Sequence, residues 1–350
     1  MIIYVCATII SIIFAYISIY LKKDIRNTYA NILRKISILL SFLPLFIVSA
    51  IRYDVGTDYF YRYVPGFIYI QYGGIETYEK GFILLNKFIL LFTSNYQWLF
   101  VVTSFIFCFF TYKAIYDQSK GICLSIALLL VTSSYFISLN TLRQCMSVAI
   151  FLYATKYIKN RNIYKYMFWI FIAIMFHSSS IIYIPVYFII NNKIKYHFKE
   201  FIAIVIFMPI LAKIFILFVN ETKYTAYFSS EFNTGKFDLW MFIINFSVLI
   251  FCYIFYNKGK NDSEYIIFVN IQFITVILLL FSSIIPLISR IIICFTFSQV
   301  IFLPKIINYI KSSLIRNSTK ILIVILYTIY MANTIILRGY HEVLPYKTIL

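Results

Sequence analysis

The sequence predicts an all-α, polytopic transmembrane helical bundle. Of its 350 residues, 62% are hydrophobic and only 13% are charged. The core of one soluble domain cannot bury so large a share of apolar residues. The apolar residues form long runs that end at charged residues, Gly, Pro or Asn, as membrane helices do. The basic residues are divided unevenly among the loops between these runs. Together these observations predict one integral membrane domain over residues 1–350.

The runs predict about twelve spans, because a helix needs about 20 apolar residues to cross a bilayer. Two of the twelve are short half-spans on either side of His177, where the polar stretch from His177 to Ser180 interrupts an apolar one. The predicted spans are residues 2–21, 36–51, 96–115, 121–139, 142–157, 164–176, 178–190, 201–219, 239–256, 265–286, 291–304 and 321–337.

Lysine and arginine placement predicts the orientation. With a turn at His177, 20 of the 31 basic residues fall in loops on one side, 10 fall on the other, and Lys213 lies inside a span. Without that turn, every later loop inverts and the bias is lost. Because basic loops stay in the cytoplasm, the sparser side and both termini are expected to be periplasmic. The net charge of +18 is therefore a topology signal, and no nucleic acid partner is expected.

Two predicted periplasmic segments are long enough to cover a cavity. Residues 52–95 begin with the polar and aromatic stretch from Arg52 to Tyr61. They continue into an amphipathic stretch, Tyr78 to Phe92, which is expected to lie along the membrane interface. Residues 220–238 form a second loop, which carries both signs of charge.

Isolated cationic residues on the outer side are candidate anion ligands. A planar guanidinium suits phosphate and stays charged, so arginines at this surface favour a phosphorylated or otherwise anionic substrate. Arg143 is expected at a helix N-terminus, whose free N–H groups add to its charge, and Arg290 follows a helix break at Pro286. Arg52 lies at another outer helix end, and Lys213 is a charge within a span, which usually faces a cavity. The alternative is that such residues only anchor helix ends in the headgroups.

His177 and Asp58 are the candidates for proton transfer. Imidazole is suited to general-base work near neutral pH, although a lone histidine in a membrane bundle can equally be a hydrogen-bonded structural group. Asp58 is the second candidate base, or it orients an arginine or binds sugar hydroxyls. Asp54 and Asp58 have helical spacing, but Gly56 separates them and no D-x-D pattern occurs, so no metal is expected. Tyr59 and Tyr61 are candidates to stack on sugars.

Several motifs, taken in order, resemble the EpsG-like branch of bacterial polysaccharide polymerases, a group that includes many O-antigen polymerases of the Wzy type. The most specific is Arg52-Tyr-Asp-Val-Gly-Thr-Asp-Tyr59. The others are Leu142-Arg-Gln-Cys-Met-Ser-Val-Ala149, Phe176-His-Ser-Ser-Ser180, the late arginine Arg290 and the terminal Leu344-Pro-Tyr-Lys347.

The resemblance implies a membrane glycosyltransferase that polymerises undecaprenyl-diphosphate-linked oligosaccharide repeat units at the periplasmic face of the inner membrane. The product would be O-antigen for lipopolysaccharide, capsule or exopolysaccharide, formed without metal or cofactor. Membrane lipids and a polysaccharide chain-length regulator are the expected partners. The cationic residues would bind the diphosphate, His177 or Asp58 would act as base, and the glycan would contact Tyr59, Tyr61 and Gln144.

Two other functions remain open from the sequence. A lipid-linked oligosaccharide flippase or transporter would also need cations in an apolar bundle, but its polar groups should extend through the bilayer depth in repeated halves. An O-antigen-ligase-like glycosyltransferase would perform similar chemistry on a different acceptor.

Overall fold

The computed structural model describes residues 1–22, 27–74, 77–190, 197–220, 237–285 and 288–349. These residues are mostly helical, as the composition predicts, and a single antiparallel bridge between Arg52 and Thr348 is the strand-like pairing described among them. The helices are α1 Ile2–Leu21, α2 Thr28–Ala50, α3 Val64–Gln71, α4 Lys80–Leu90, α5 Gln97–Gln118, α6 Ile122–Val131, α7 Ser134–Asn140, α8 Leu142–Lys159, α9 Ile163–Phe176, α10 Tyr183–Ile190, α11 His197–Asn220, α12 Leu239–Ile254, α13 Tyr256–Gly259, α14 Ser263–Leu280, α15 Ile288–Thr296, α16 Gln299–Ile307 and α17 Ser313–Met331.

The chain divides into two compact units. The first contains residues Met1–Tyr183 and Gln299–Leu350, and the second contains Ile184–Ser298. In the second unit, α12 and α14 pack together around Leu249, Phe273 and Val276. The predicted second periplasmic loop, residues 220–238, lies almost wholly outside the described residues.

Within the ranges that the structure describes, fewer helices than predicted are long enough to cross a membrane. Within the described residues, five are long and apolar enough, namely α1, α2, α5, α14 and α17 with its continuation to Leu337, and the number rises to seven if the pairs α6–α7 and α15–α16 each form one span. The helical membrane protein is therefore confirmed, but the number twelve is not. Some predicted spans correspond to helices that are too short to cross the bilayer. For example, the 14 residues of α9 extend only about 21 Å, less than the roughly 30 Å thickness of the hydrocarbon layer.

Helix α8 forms the centre of the first unit. It buries 13 of its 18 residues and packs against α5 and α9. Its start at Leu142 confirms the prediction that Arg143 lies at a helix N-terminus, while Lys156 and Lys159 occupy the last turn, where the helix dipole favours cations. The dipole disfavours a cation in the first turn, so Arg143 needs a compensating anion.

The break predicted at His177 is also confirmed. Helix α9 ends at Phe176, His177 is extended with φ −152° and ψ 120°, and residues Ser178–Ile182 form a 3₁₀ turn before α10. The segment 52–95, predicted to be periplasmic, contains more helix than expected, since a π-helical turn, Tyr59–Tyr63, and α3 precede the amphipathic helix α4.

The first unit has two chemically different ends. At one end the C-terminal segment covers the bundle, because the hydroxyl of Tyr346 donates to Val48 O at 2.9 Å and that of Tyr4 to Val343 O at 3.0 Å. At the opposite end, Asp117 binds Lys156 at 2.8 Å and Lys113 at 3.1 Å. The side of the membrane that each end faces stays a prediction.

Candidate functional site

The stretch that begins at Arg52 is held between the C-terminal segment and the α7–α8 break. The backbone N–H of Gly56 donates to Glu342 O at 3.1 Å, and that of Tyr53 to Lys347 O at 3.0 Å. Gly56 has φ +99°, a region in which a side chain is strained, and a Cβ atom there would lie 2.8 Å from Leu139 O. Glycine at this position therefore lets the motif approach the residues just before α8.

Asn140 fastens the motif to the start of α8. Its Oδ1 accepts a hydrogen bond from the backbone N–H of Asp58 at 2.9 Å, which orients the amide so that Nδ2 donates to His341 Nδ1 at 3.1 Å. His341 must then accept through Nδ1, which requires a neutral ring in the tautomer without a proton there. Burial lowers the pKa of His341 to about 4, in agreement with a neutral acceptor.

Arg52 is enclosed at this end of the bundle and is 0% exposed. Its Nη1 donates to the carbonyl oxygen of Ser49 and, at 3.1 Å each, to the hydroxyls of Ser49 and Ser104. Its guanidinium carbon lies 4.9 Å from the centroid of the Phe100 ring, and Nε and Nη2 have no hydrogen-bond partner within the described ranges. No carboxylate of the described residues pairs with Arg52, and contact with a ligand would require the residues around it to move.

Arg143 and His177 meet at a common carboxylate, Glu79. Arg143 Nη1 donates to Glu79 Oε2, while His177 Nδ1 lies 3.2 Å from Glu79 Oε1, within ion-pair distance but without hydrogen-bond alignment. Oε1 also accepts from the backbone N–H of Ser178 at 3.0 Å and from its hydroxyl at 3.2 Å. The three side chains are 11% (Arg143), 17% (Glu79) and 16% (His177) exposed, so the cluster is sheltered but reaches the surface.

Glu79 is held in its ionised form. Burial by itself would raise the pKa of this carboxyl, but His177, Arg143 and the N–H of Ser178 outweigh that effect and keep the pKa well below its usual range. Glu79 therefore supplies the anion that Arg143 needs at the N-terminus of α8.

Aromatic rings form the wall beside this cluster. The guanidinium carbon of Arg143 lies 4.7 Å from the centroid of the Tyr78 ring, and that of Arg62 lies 5.4 Å from the same ring. The hydroxyl of Tyr78 donates to Arg62 O at 2.7 Å, which fixes the ring. Two guanidinium groups thus lie against one ring, an arrangement that concentrates positive charge close to Glu79.

Close packing of α4 brings Glu79 to this position. A Cβ atom on Gly81 would lie 2.6 Å from Met175 O, so only glycine lets the first turn of α4 approach the backbone of α9 just before His177. Glu79 is the N-cap residue of α4, yet its carboxylate makes no cap hydrogen bond and is directed to α8 and to the His177 turn instead.

The remaining predicted site residues occupy different surroundings. Tyr59 is buried, stacks on Phe100 with centroids 4.0 Å apart, and donates to Gln97 Oε1 at 2.9 Å. Gln144 is also buried, whereas Tyr61 is 85% exposed. Arg290 and Lys213 have exposed side chains in the second unit, on α15 and α11. Convergence of Arg290 with Arg52 and Arg143 stays a prediction.

Glu79 and Arg62 are site residues that the sequence did not reveal. Glu79 is 64 positions from Arg143 and 99 from Ser178, so no spacing rule connects them. The one available signal is that Glu79 is an acidic residue in a predicted periplasmic segment rich in isolated cations.

Comparison with known proteins identifies the family. The profile of the EpsG family matches residues 35–348, a range that includes the motifs at Arg52, Arg143, His177 and Arg290. No curated protein and no solved structure gives a significant match. The match extends over most of the chain, and the structure supplies the membrane helices that such a protein requires. The chain therefore belongs to the EpsG family and is a helical membrane protein of polysaccharide biosynthesis.

Proposed function

We propose that this protein polymerises oligosaccharide repeat units carried on undecaprenyl diphosphate, at the periplasmic face of a bacterial inner membrane. The family membership supports a role in polysaccharide biosynthesis. The observation that carries the polymerase proposal is the cluster of Arg143, Glu79 and His177, because it combines a phosphate-binding group with a proton acceptor at one end of the bundle.

The proposed reaction needs both groups. A hydroxyl of the acceptor repeat unit attacks the anomeric carbon of the donor glycan, and the bond from that carbon to the diphosphate oxygen breaks. His177 takes the proton of the attacking hydroxyl. The departing lipid diphosphate gains negative charge, which the guanidinium of Arg143 stabilises, with the neighbouring Arg62 adding to the positive field.

Other residues have proposed supporting roles. Arg290 and Lys213 are proposed as further diphosphate ligands. Asp58 is the alternative base, and its backbone contact with Asn140 keeps it near the start of α8. The exposed ring of Tyr61 is proposed to stack on the glycan. For the buried Arg52, Tyr59 and Gln144, ligand contact depends on movement of their neighbours.

Deletion of the gene in its native strain, followed by gel analysis of the surface polysaccharide, tests the proposal. A polymerase defect leaves glycans of one repeat unit, whereas a flippase defect removes the surface glycan and accumulates lipid-linked units inside the cell. Complementation with Arg143→Ala or His177→Ala should fail to restore polymer at normal protein levels. Lys87→Ala is the matched control, because it removes an exposed cation from the last turn of α4 outside the cluster. Full-length polymer with either cluster variant would contradict the assignment.

A further inference from the structure

We propose that Glu79 is a positioning residue that holds His177 in the tautomer with the proton on Nδ1, so that Nε2 is the atom that accepts the proton. This inference rests on the proposed function for its purpose, but the tautomer itself is a property of the resting protein and can be measured without substrate.

The two oxygens of Glu79 have separate tasks. Oε2 binds Arg143, while Oε1 is turned to His177 and Ser178. The backbone N–H of Ser178, at 3.0 Å, and its hydroxyl, at 3.2 Å, fix Oε1 at a distance of 3.2 Å from His177 Nδ1. Glu79 thus contacts the turn after His177 as well as the ring, so the carboxylate constrains both the backbone and the side chain of the proposed base.

An ionised carboxylate can only accept hydrogen bonds. The contacts that lower the pKa of Glu79 keep it ionised, and Nδ1 of His177 lies 3.2 Å from Glu79 Oε1. A ring nitrogen in that position is favoured when it carries the proton, because a lone pair there would repel the anion. A neutral imidazole has one N–H, so the lone pair is then on Nε2.

The position of Glu79 depends on its ion pair with Arg143 as well as on packing. Arg143 is the cation that α8 places against the other oxygen of Glu79. Arg143 neutralises much of the charge of the carboxylate that lies against His177. The carboxylate in this ion pair makes no cap hydrogen bond to its own helix, α4.

Nitrogen-15 NMR of histidine-labelled protein in detergent micelles tests the tautomer directly. The chain has three histidines, so the His177 signals can be assigned as those lost in a His177→Gln variant. At about pH 8, where an ordinary imidazole is neutral, we expect the Nδ1–H form of His177 to dominate. In Glu79→Gln, the ratio of Nδ1–H to Nε2–H should fall about tenfold, because a charge-assisted contact is replaced by an amide that can either accept or donate.

A control variant and a folding marker accompany this measurement. The control variant is Glu342→Gln, which removes a carboxylate next to His341 and should leave the His177 signals unchanged. The His341 signals are the folding marker. If they are the same in a Glu79 variant as in the wild type, that variant has folded. If Glu79→Gln does not fold, the wild-type spectrum alone decides, since a dominant Nε2–H form would overturn the inference. An unchanged tautomer ratio in folded Glu79→Gln would overturn it too. Failure of the proposed function has a different signature, namely wild-type protein with the Nδ1–H form but no polymerase activity on lipid-linked repeat units.

Discussion

Replacement of Gly56 by alanine should destabilise the protein and disturb the site together. Two costs arise: a φ of +99° strains a residue with a side chain by about 1–3 kcal/mol, and the new Cβ would lie 2.8 Å from Leu139 O. The second contact involves backbone, so the segment before α8 must shift at a further cost of about 1–3 kcal/mol. Gly56→Ala is therefore expected to lose about 2–6 kcal/mol in total.

Gly73 is a matched control for the close contact. It also has positive φ, +82°, but no heavy atom of the described residues lies within 4 Å of the place that a Cβ atom would occupy there. Gly73→Ala should therefore lose only the backbone term of about 1–3 kcal/mol. Thermal unfolding of the purified proteins in the same detergent measures the difference, and polysaccharide gels of complemented strains show its consequence for function.

The close approach of Gly56 to Leu139 predicts that Gly56→Ala and Gly73→Ala differ in function as well as in stability. Because Asn140 and the start of α8 follow Leu139 directly, a shift there moves Arg143 relative to Glu79. Gly56→Ala should lose polymer even at a temperature at which it remains folded, whereas Gly73→Ala should retain it. Equal stability and equal polymer in the two variants would refute the reasoning that this close approach positions the site.

Three further predictions concern the site and its orientation. Arg143→Lys should lower polymerisation on the order of 10- to 100-fold, because a point charge cannot reproduce the guanidinium fork, and normal chain lengths on a gel would argue against a bidentate role. Burial lowers the pKa of His341 from 6.5 to about 4, so its contribution to stability is complete above pH 6.5 and is lost as the pH falls to about 4, by at most about 3 kcal/mol. Thermal unfolding across this pH range should show that loss, and His341→Gln should reduce it. In a background without native cysteines, an impermeant thiol reagent added to spheroplasts should label Lys80→Cys but not Lys120→Cys, and the reverse pattern would invert the proposed topology.

Local features of the candidate site could be predicted from the sequence because they depend on neighbouring residues. The polar stretch from His177 to Ser180 ends one apolar helix, and the Asn140-Thr141 pair precedes another, so the positions of His177 and Arg143 at helix ends follow from short-range preferences. The predicted number of spans is not confirmed, since apolar composition does not reveal where a run bends or ends too soon, as between α6 and α7, which meet at 55°.

The sequence by itself determined the protein's class, its helical content and the motifs of its family, because these depend on composition and on local order along the chain. Tertiary structure alone decided which charges meet. Glu79 reaches Arg143 and His177 only because Gly81 lets α4 pack against the backbone at Met175, and Arg52 is buried only because α2, α5 and the C-terminal segment close around it. Such pairings join residues far apart in the chain through the docking of helices, and hydrophobic periodicity records which face is buried but not which partner it meets.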